Sequence, residues 1–132
     1  MTASLLRRLL AEFIGTAFLL AGVMGSGIMA ERLTDDVGLQ LLANAGATVG
    51  VLYAIILMFG PVSGAHFNPV VTLSDAALTK RSWSDVTPYI VAQIAGGAVG
   101  VMLANLMFEL DAINMSDKVR DGSGQYIAEV VA

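Results

Sequence analysis

The sequence has no cysteine and a single histidine. Disulfides, Cys–zinc sites and thiol nucleophiles are therefore excluded, and so is an all-imidazole metal site within one chain. Charge is scarce as well. Of the 132 residues only 14% are charged, against about a quarter in a soluble domain. The net charge of −4 argues against nucleic acid as a partner. What remains is apolar: 56% of the residues are hydrophobic and the mean hydropathy is +0.74. The class these numbers define is an all-α membrane protein.

Three apolar runs are long enough to cross a bilayer, which takes about 20 residues. The first covers residues 5–30, with no charge between Glu12 and Glu31; the second covers 38–59; the third covers 86–108. Arg7 and Arg8 ahead of the first run resemble the start of a signal peptide. The run is too long for one, and no small-x-small cleavage site follows, so a retained span is expected. Glu31, Arg32, Asp35 and Asp36 form a polar turn. Residues 109–124 read as a polar surface loop, and 125–132 as the start of a fourth span. All three prolines (61, 69 and 88) are expected at helix boundaries, with Gly60-Pro61 ending the second span.

Residues 60–79, GPVSGAHFNPVVTLSDAALT, do not fit a crossing. Asn68 is a good helix N-cap, and Pro69 suits the first helical position. The helix that follows, 70–79, would be ~15 Å long, half of a ~30 Å hydrocarbon core. Residues 60–67, if extended, supply the other leg. The expectation is a re-entrant loop and half-helix whose positive end lies near the middle of the membrane. Lys80 and Arg81 then close the helix at its negative end. Arg7, Arg8, Lys80 and Arg81 fall on one side, with Arg32, Lys118 and Arg120 on the other. The paired basics place the N-terminus in the cytoplasm, with the half-helix entering from that side.

An internal echo is visible. Ala11-Glu12-Phe13-Ile14 near the start and Ala128-Glu129-Val130-Val131 at the end each place a glutamate at the start of an apolar run. With three spans between them the second copy enters from the opposite face, as in an inverted-topology repeat. On that reading the chain stops as a second half begins.

Several residues carry candidate chemistry. Glu12 lies inside the first span, where a carboxylate needs a partner. It either accepts N–H groups of the re-entrant loop as a structural anchor or reaches the headgroups with Arg8. The Asn68 amide can point into a passage, with the carbonyls of Gly64, Ala65, His66 and Phe67 as a ladder of acceptors beside it. A positive helix end there repels cations and protons. The alternative for Asn68 is an ordinary cap. His66 has a packing role or a gating one. A hydrolase built from Ser63, His66 and Asp75 lacks a G-x-S-x-G setting. The pairs Gly46/Gly50, Gly96/Gly100 and Ala11/Gly15 allow close helix approach. Gly22, Gly25 and Gly27 follow no strand, so helix packing and not phosphate binding accounts for them.

Residues 63–72, SGAHFNPVVT, resemble the first signature of the aquaporin, or major intrinsic protein, family, usually S-G-x-H-x-N-P-A-V-T. Ala11-Glu12-Phe13-x-Gly15-Thr16 is similar to that family's first-helix motif, and Gln93-x-x-Gly96 to its third-helix motif. The resemblance is closest to bacterial members. It implies a six-helix channel of two inverted halves, whose Asn-Pro ends meet at the centre, and passage of water or small neutral solutes such as glycerol. It makes Asn68 and Pro69 one of those ends and Glu12 the loop brace. It also makes Thr48 a constriction residue, where water-selective members carry an aromatic. No cofactor, metal or enzymatic activity is implied. Val70 departs from the usual alanine. A second Asn-Pro, a filter arginine and further spans do not occur in these 132 residues. The expectation is thus half a pore in the bacterial inner membrane, truncated at the start of its fourth helix. It would conduct only with a second half or another copy of itself, and form a tetramer when complete. The alternative is a non-conducting chain that only associates with intact channels or is inactive.

Overall fold

The computed structural model describes residues 3–79, 82–114 and 122–131, with side chains at 129 and 130 left aside. Lys80, Arg81, Lys118, Arg120 and the Glu129 side chain, which carry the orientation and repeat arguments, lie outside the described residues. Among the described residues five α-helices follow one another: α1 (Leu5–Leu33), α2 (Val37–Ser63), α3 (Pro69–Leu78), α4 (Val86–Met107) and α5 (Ser123–Val131). A 3₁₀ turn, Trp83–Asp85, leads into α4. Three of them, α1, α2 and α4 with its leading turn, are long and apolar enough to cross a membrane; α3 is apolar and short. The fold is an aquaporin-like half: three spans and a half-helix.

α1 is the centre of the bundle, packed against α4 on one side and α2 on the other, while α3 rests on α4. Glycine makes the first contact possible. A Cβ on Gly96 would collide with the backbone carbonyl of Phe13, and one on Gly100 with that of Ala17. At this crossing backbone meets backbone, which is how membrane helices gain packing where lipid offers no hydrophobic drive. On the α2 side, Gly22 faces Val51, and Asn44 Nδ2 donates to Val23 O at 2.7 Å and Ser26 Oγ at 3.0 Å. The interior is mixed. Glu12, Thr16, Ser63, Thr72, Gln93 and Asn105 are buried alongside Ala11, Ile55, Phe67, Val86 and Tyr89, while leucines, valines and isoleucines cover the outside. An apolar outside of this kind suits a lipid surround.

The helix ends differ from expectation in two places. α2 does not stop at Gly60-Pro61; it runs through Pro61 to Ser63. Gly60 has no Cβ for the proline ring to strike. The last turn is also held from outside, because Tyr89 Oη donates to Ser63 O at 3.0 Å. The helix ends instead at Gly64, whose φ of 96° is the left-handed stop glycine supplies. The non-helical leg is therefore only residues 64–68, not 60–67. At the other end, Glu31 and Arg32 are still helical. Arg32 Nη2 donates to Phe108 O at 2.6 Å and its guanidinium lies 5.2 Å from the Phe108 ring centroid, tying α1 to the end of α4. α4 begins at Val86, the expected start, with Pro88 at its boundary. The proline falls in the first turn, where its missing N–H has no intrahelical partner in any case.

Gly96→Ala should destabilise the protein by about 1–3 kcal/mol, the usual cost of overpacking. Gly50→Ala, with open space around its Cβ, should be neutral or slightly stabilising. Unfolding by SDS in mixed micelles checks both, and equal losses would show that the α1–α4 crossing does not set the fold's stability.

Candidate functional site: the Glu12 cluster and the Asn68 tip

Gly64 to Asn68 joins α2 to α3, and only its two ends share in helical hydrogen bonds: the Gly64 N–H donates to Gly60 O and Asn68 O accepts the Thr72 N–H. Three of its residues have positive φ: Gly64 at 96°, Ala65 at 53° and Phe67 at 50°. For residues with a Cβ this conformation is rare and needs outside support. The support comes from Glu12, fully buried on α1. Its Oε1 accepts the Ser63 hydroxyl at 2.6 Å and the His66 N–H at 3.0 Å. Its Oε2 accepts the Phe67 N–H at 2.7 Å and Gln93 Nε2 at 2.8 Å. Ser63 Oγ in turn accepts the Ala65 N–H at 3.1 Å. Every one of these partners is more than fifty positions from Glu12. Glu12 does not reach a surface, and Arg8 pairs with Asp85 at 2.7 Å.

A second layer holds the first turn of α3. Gln93 Nε2 also donates to Thr72 Oγ1 at 2.9 Å. Thr72 Oγ1 lies 3.2 Å from Asn68 O and 3.0 Å from His66 Nδ1. The other imidazole nitrogen is 3.4 Å from Asp75 Oδ2, one turn further along α3. His66 thus bridges the loop to the side of the half-helix. The Tyr89 ring stands 5.6 Å from it, centroid to centroid.

Asn68 caps α3 with an extended backbone (φ −151°, ψ 128°), and its Oδ1 accepts the Val70 N–H at 2.7 Å. Pro69 takes the first helical position. With Oδ1 committed, the Asn68 NH2 is the part left to donate outward, and the residue is exposed. Val70 beside it is 67% exposed, so the tip presents one amide and one isopropyl group. Among the described residues no donor reaches the carbonyls of Gly64, Ala65 or Phe67. An open recess of about 580 Å³, lined by Arg8, Gly60, Ser63, Asp75, Thr79 and Asp85, lies beside the same loop.

Not every candidate joins this cluster. Thr48 sits on α2, where its hydroxyl donates to Asn44 O at 2.8 Å. Ser63 is 2% exposed and its hydroxyl is engaged by Glu12, so it is not presented as a nucleophile. The sequence reading did not assign Gln93, Thr72 or Tyr89 to the Glu12 network. The available signal was a glutamine inside an uncharged span, where a polar side chain requires a partner.

Three apolar spans, one of them carrying a short, amide-tipped helix against it, define a multi-pass membrane protein. The chain matches the Major intrinsic protein family over residues 1–131, and it belongs to that family. It is 48% identical over 128 residues to "Aquaglyceroporin AqpS" of Rhizobium meliloti (strain 1021), covering 97% of this chain and 55% of that protein. It is 35% identical over 113 residues to "Glycerol uptake facilitator protein-like 5" of Lactiplantibacillus plantarum, covering 78% and 44%. It is 36% identical over 107 residues to "Aquaporin NIP6-1" of Arabidopsis thaliana, covering 80% and 34%. The chain spans between about a third and just over half of the length of these relatives.

Glu12→Gln should cost about 2–5 kcal/mol, because an NH2 replaces one oxygen and leaves two buried donors facing a donor. Ser63→Ala should cost less, about 1–2 kcal/mol. Unfolding of both variants in detergent decides the order; a smaller loss for Glu12→Gln than for Ser63→Ala would mean that the hydroxyl, and not the carboxylate, organises the loop.

Proposed function

We propose that this chain forms one half of a pore for water or small uncharged solutes of the glycerol type, closed by a second half or by another copy. The observation that carries the reading is the exposed Asn68 amide at the positive end of a ten-residue helix, braced from behind by Glu12. In this reading Asn68 donates to the permeating molecule. The carbonyls of Gly64, Ala65, His66 and Phe67 accept from it, a pairing suited to hydroxylic solutes. Pro69 and Val70 form the contact with the opposing half-helix. The positive end of α3 disfavours cations, and no charged side chain belongs to the tip itself. Thr48 lines the constriction as a small hydroxyl-bearing residue. Glu12 is the brace of the loop and His66 a packing residue.

Support for a partner comes from the surface: a polar loop and an amide tip stand exposed on a chain otherwise dressed for lipid, and backbone of that kind is tolerated only against protein or a water-filled passage. The completed assembly would be a tetramer in the inner membrane with the N-terminus cytoplasmic, from the clustering of Arg7 and Arg8. The reading is of a facilitator and not an enzyme, in keeping with the family and with the names of its relatives.

Osmotic swelling of proteoliposomes tests the proposal. Vesicles holding this chain alone, with all copies inserted in one orientation, should respond at the background rate. Adding the remainder of the Rhizobium meliloti relative as a separate second half should raise water and glycerol permeability. Flux from the chain alone with its copies in both orientations means that another copy closes the pore; flux with every copy in one orientation overturns the half-pore reading, and no flux in any arrangement overturns the channel reading. In the conducting assembly, Thr48→Phe should lower glycerol flux relative to water by about tenfold, the scale on which a pocket discriminates by size; an unchanged ratio removes Thr48 from the constriction.

A further inference from the structure

Gly15 lies on the same face of α1 as Glu12, one turn further on, and is buried. A Cβ built there would stand 2.6 Å from both Cδ1 and Cζ of the Phe67 ring, where carbon atoms normally stay about 3.5 Å apart. The ring fills the place of the missing side chain. It is 4% exposed, and on its other flank it meets the Phe59 ring edge-on, 6.1 Å between centroids at 77°. Gly22 seats Val51 on α2 in a similar way, whereas Gly46, Gly50 and Gly60 have nothing within 4 Å of a built Cβ.

Phe67 is therefore gripped twice by one helix. Its N–H is bound by Glu12 Oε2 at 2.7 Å, and its ring is lodged against Gly15. It also has a φ of 50°, a conformation that a bulky residue keeps only when its surroundings enforce it. The next residue is Asn68. With both the backbone and the ring of residue 67 fixed, the peptide leading into the cap has no freedom to swing.

We propose that Gly15 is a positioning residue for Asn68: its lack of a side chain seats the Phe67 ring, and the seated ring sets where the Asn68 amide stands. The pairing predicts size complementarity between positions 15 and 67. Its meaning for transport rests on the channel reading above; the packing statement does not.

The test uses Gly15→Ala, Phe67→Leu and the double variant in nanodiscs. Amide exchange is followed by mass spectrometry on peptides covering residues 64–70 and on α4. Gly15→Ala should speed exchange at His66 and Phe67 by about tenfold or more while α4 is unchanged, a local opening and not a global one. The shorter leucine in the double variant should bring the rate back at least about threefold, as expected for coupled neighbours. Unchanged exchange in Gly15→Ala, an equal rise across α4, or no recovery in the double variant overturns the proposal. Should Gly15→Ala not fold, the double variant must restore folding, and failure to do so overturns it too. In a conducting assembly, loss of folded protein lowers water and glycerol flux together, whereas displacement of Asn68 changes their ratio; faster exchange with an unchanged ratio overturns the assignment to Asn68. If the native protein passes neither solute, the channel reading falls and the exchange data still judge the contact between Gly15 and Phe67.

Discussion

Four hydrogen bonds to one buried carboxyl group give the loop between α2 and α3 its shape. Ser63, His66, Phe67 and Gln93 all donate to Glu12, and the residues between them take up whatever backbone angles those bonds require. Left-handed angles at Ala65 and Phe67 cost about 1–3 kcal/mol each. Each buried donor left without a partner would cost a similar amount, about 1–3 kcal/mol. Four satisfied donors against two strained residues favour the observed loop. In hydrocarbon the balance tilts further, since no water is available to take the donors instead.

The rest of the bundle keeps that carboxyl group in place. α1 carries Glu12, and α4 brings Gln93 to it and Tyr89 to the Ser63 carbonyl, with the two helices touching at Gly96 and Gly100. Gln93 then serves two elements at once, binding Glu12 on α1 and Thr72 on α3. A helix crossing made of small residues and a polar cluster near it are parts of one device: the closeness of the backbones is what lets short polar side chains meet.

Local chemistry was the legible part of the sequence. Asn68-Pro69 marks the start of α3 because a cap and an N1 proline act on their own neighbours. Three spans could be seen because long charge-free runs need no partner to be recognised. The ends of helices were less visible where distant groups decide them. Pro61 reads as a terminator, yet α2 passes through it, held by a tyrosine 26 positions beyond Ser63. Glu31 and Arg32 read as a turn, yet Arg32 has a carbonyl to bind 76 positions away. Phe67 gave no sign of its left-handed backbone, since nothing in its own neighbourhood produces it. Glu12 announced itself as a carboxylate in oil, with the loop amides as one of its two expected partners, but that Gln93 and the Ser63 hydroxyl join them emerges only when four segments are assembled.

The span between Glu12 and Gln93, 81 positions of chain, has a bearing on biogenesis. A ribosome delivers α1, then α2, then the half-helix, and only afterwards the helix that carries Gln93. Until that last helix emerges, the carboxyl group and the loop lack one of their four connections, and the α3 hydroxyl at Thr72 lacks its donor. The half-helix therefore cannot be locked at its final depth as it is made. It has to wait, in the translocon or at the headgroups, for a later segment to arrive, so the order of synthesis and the order of consolidation are not the same.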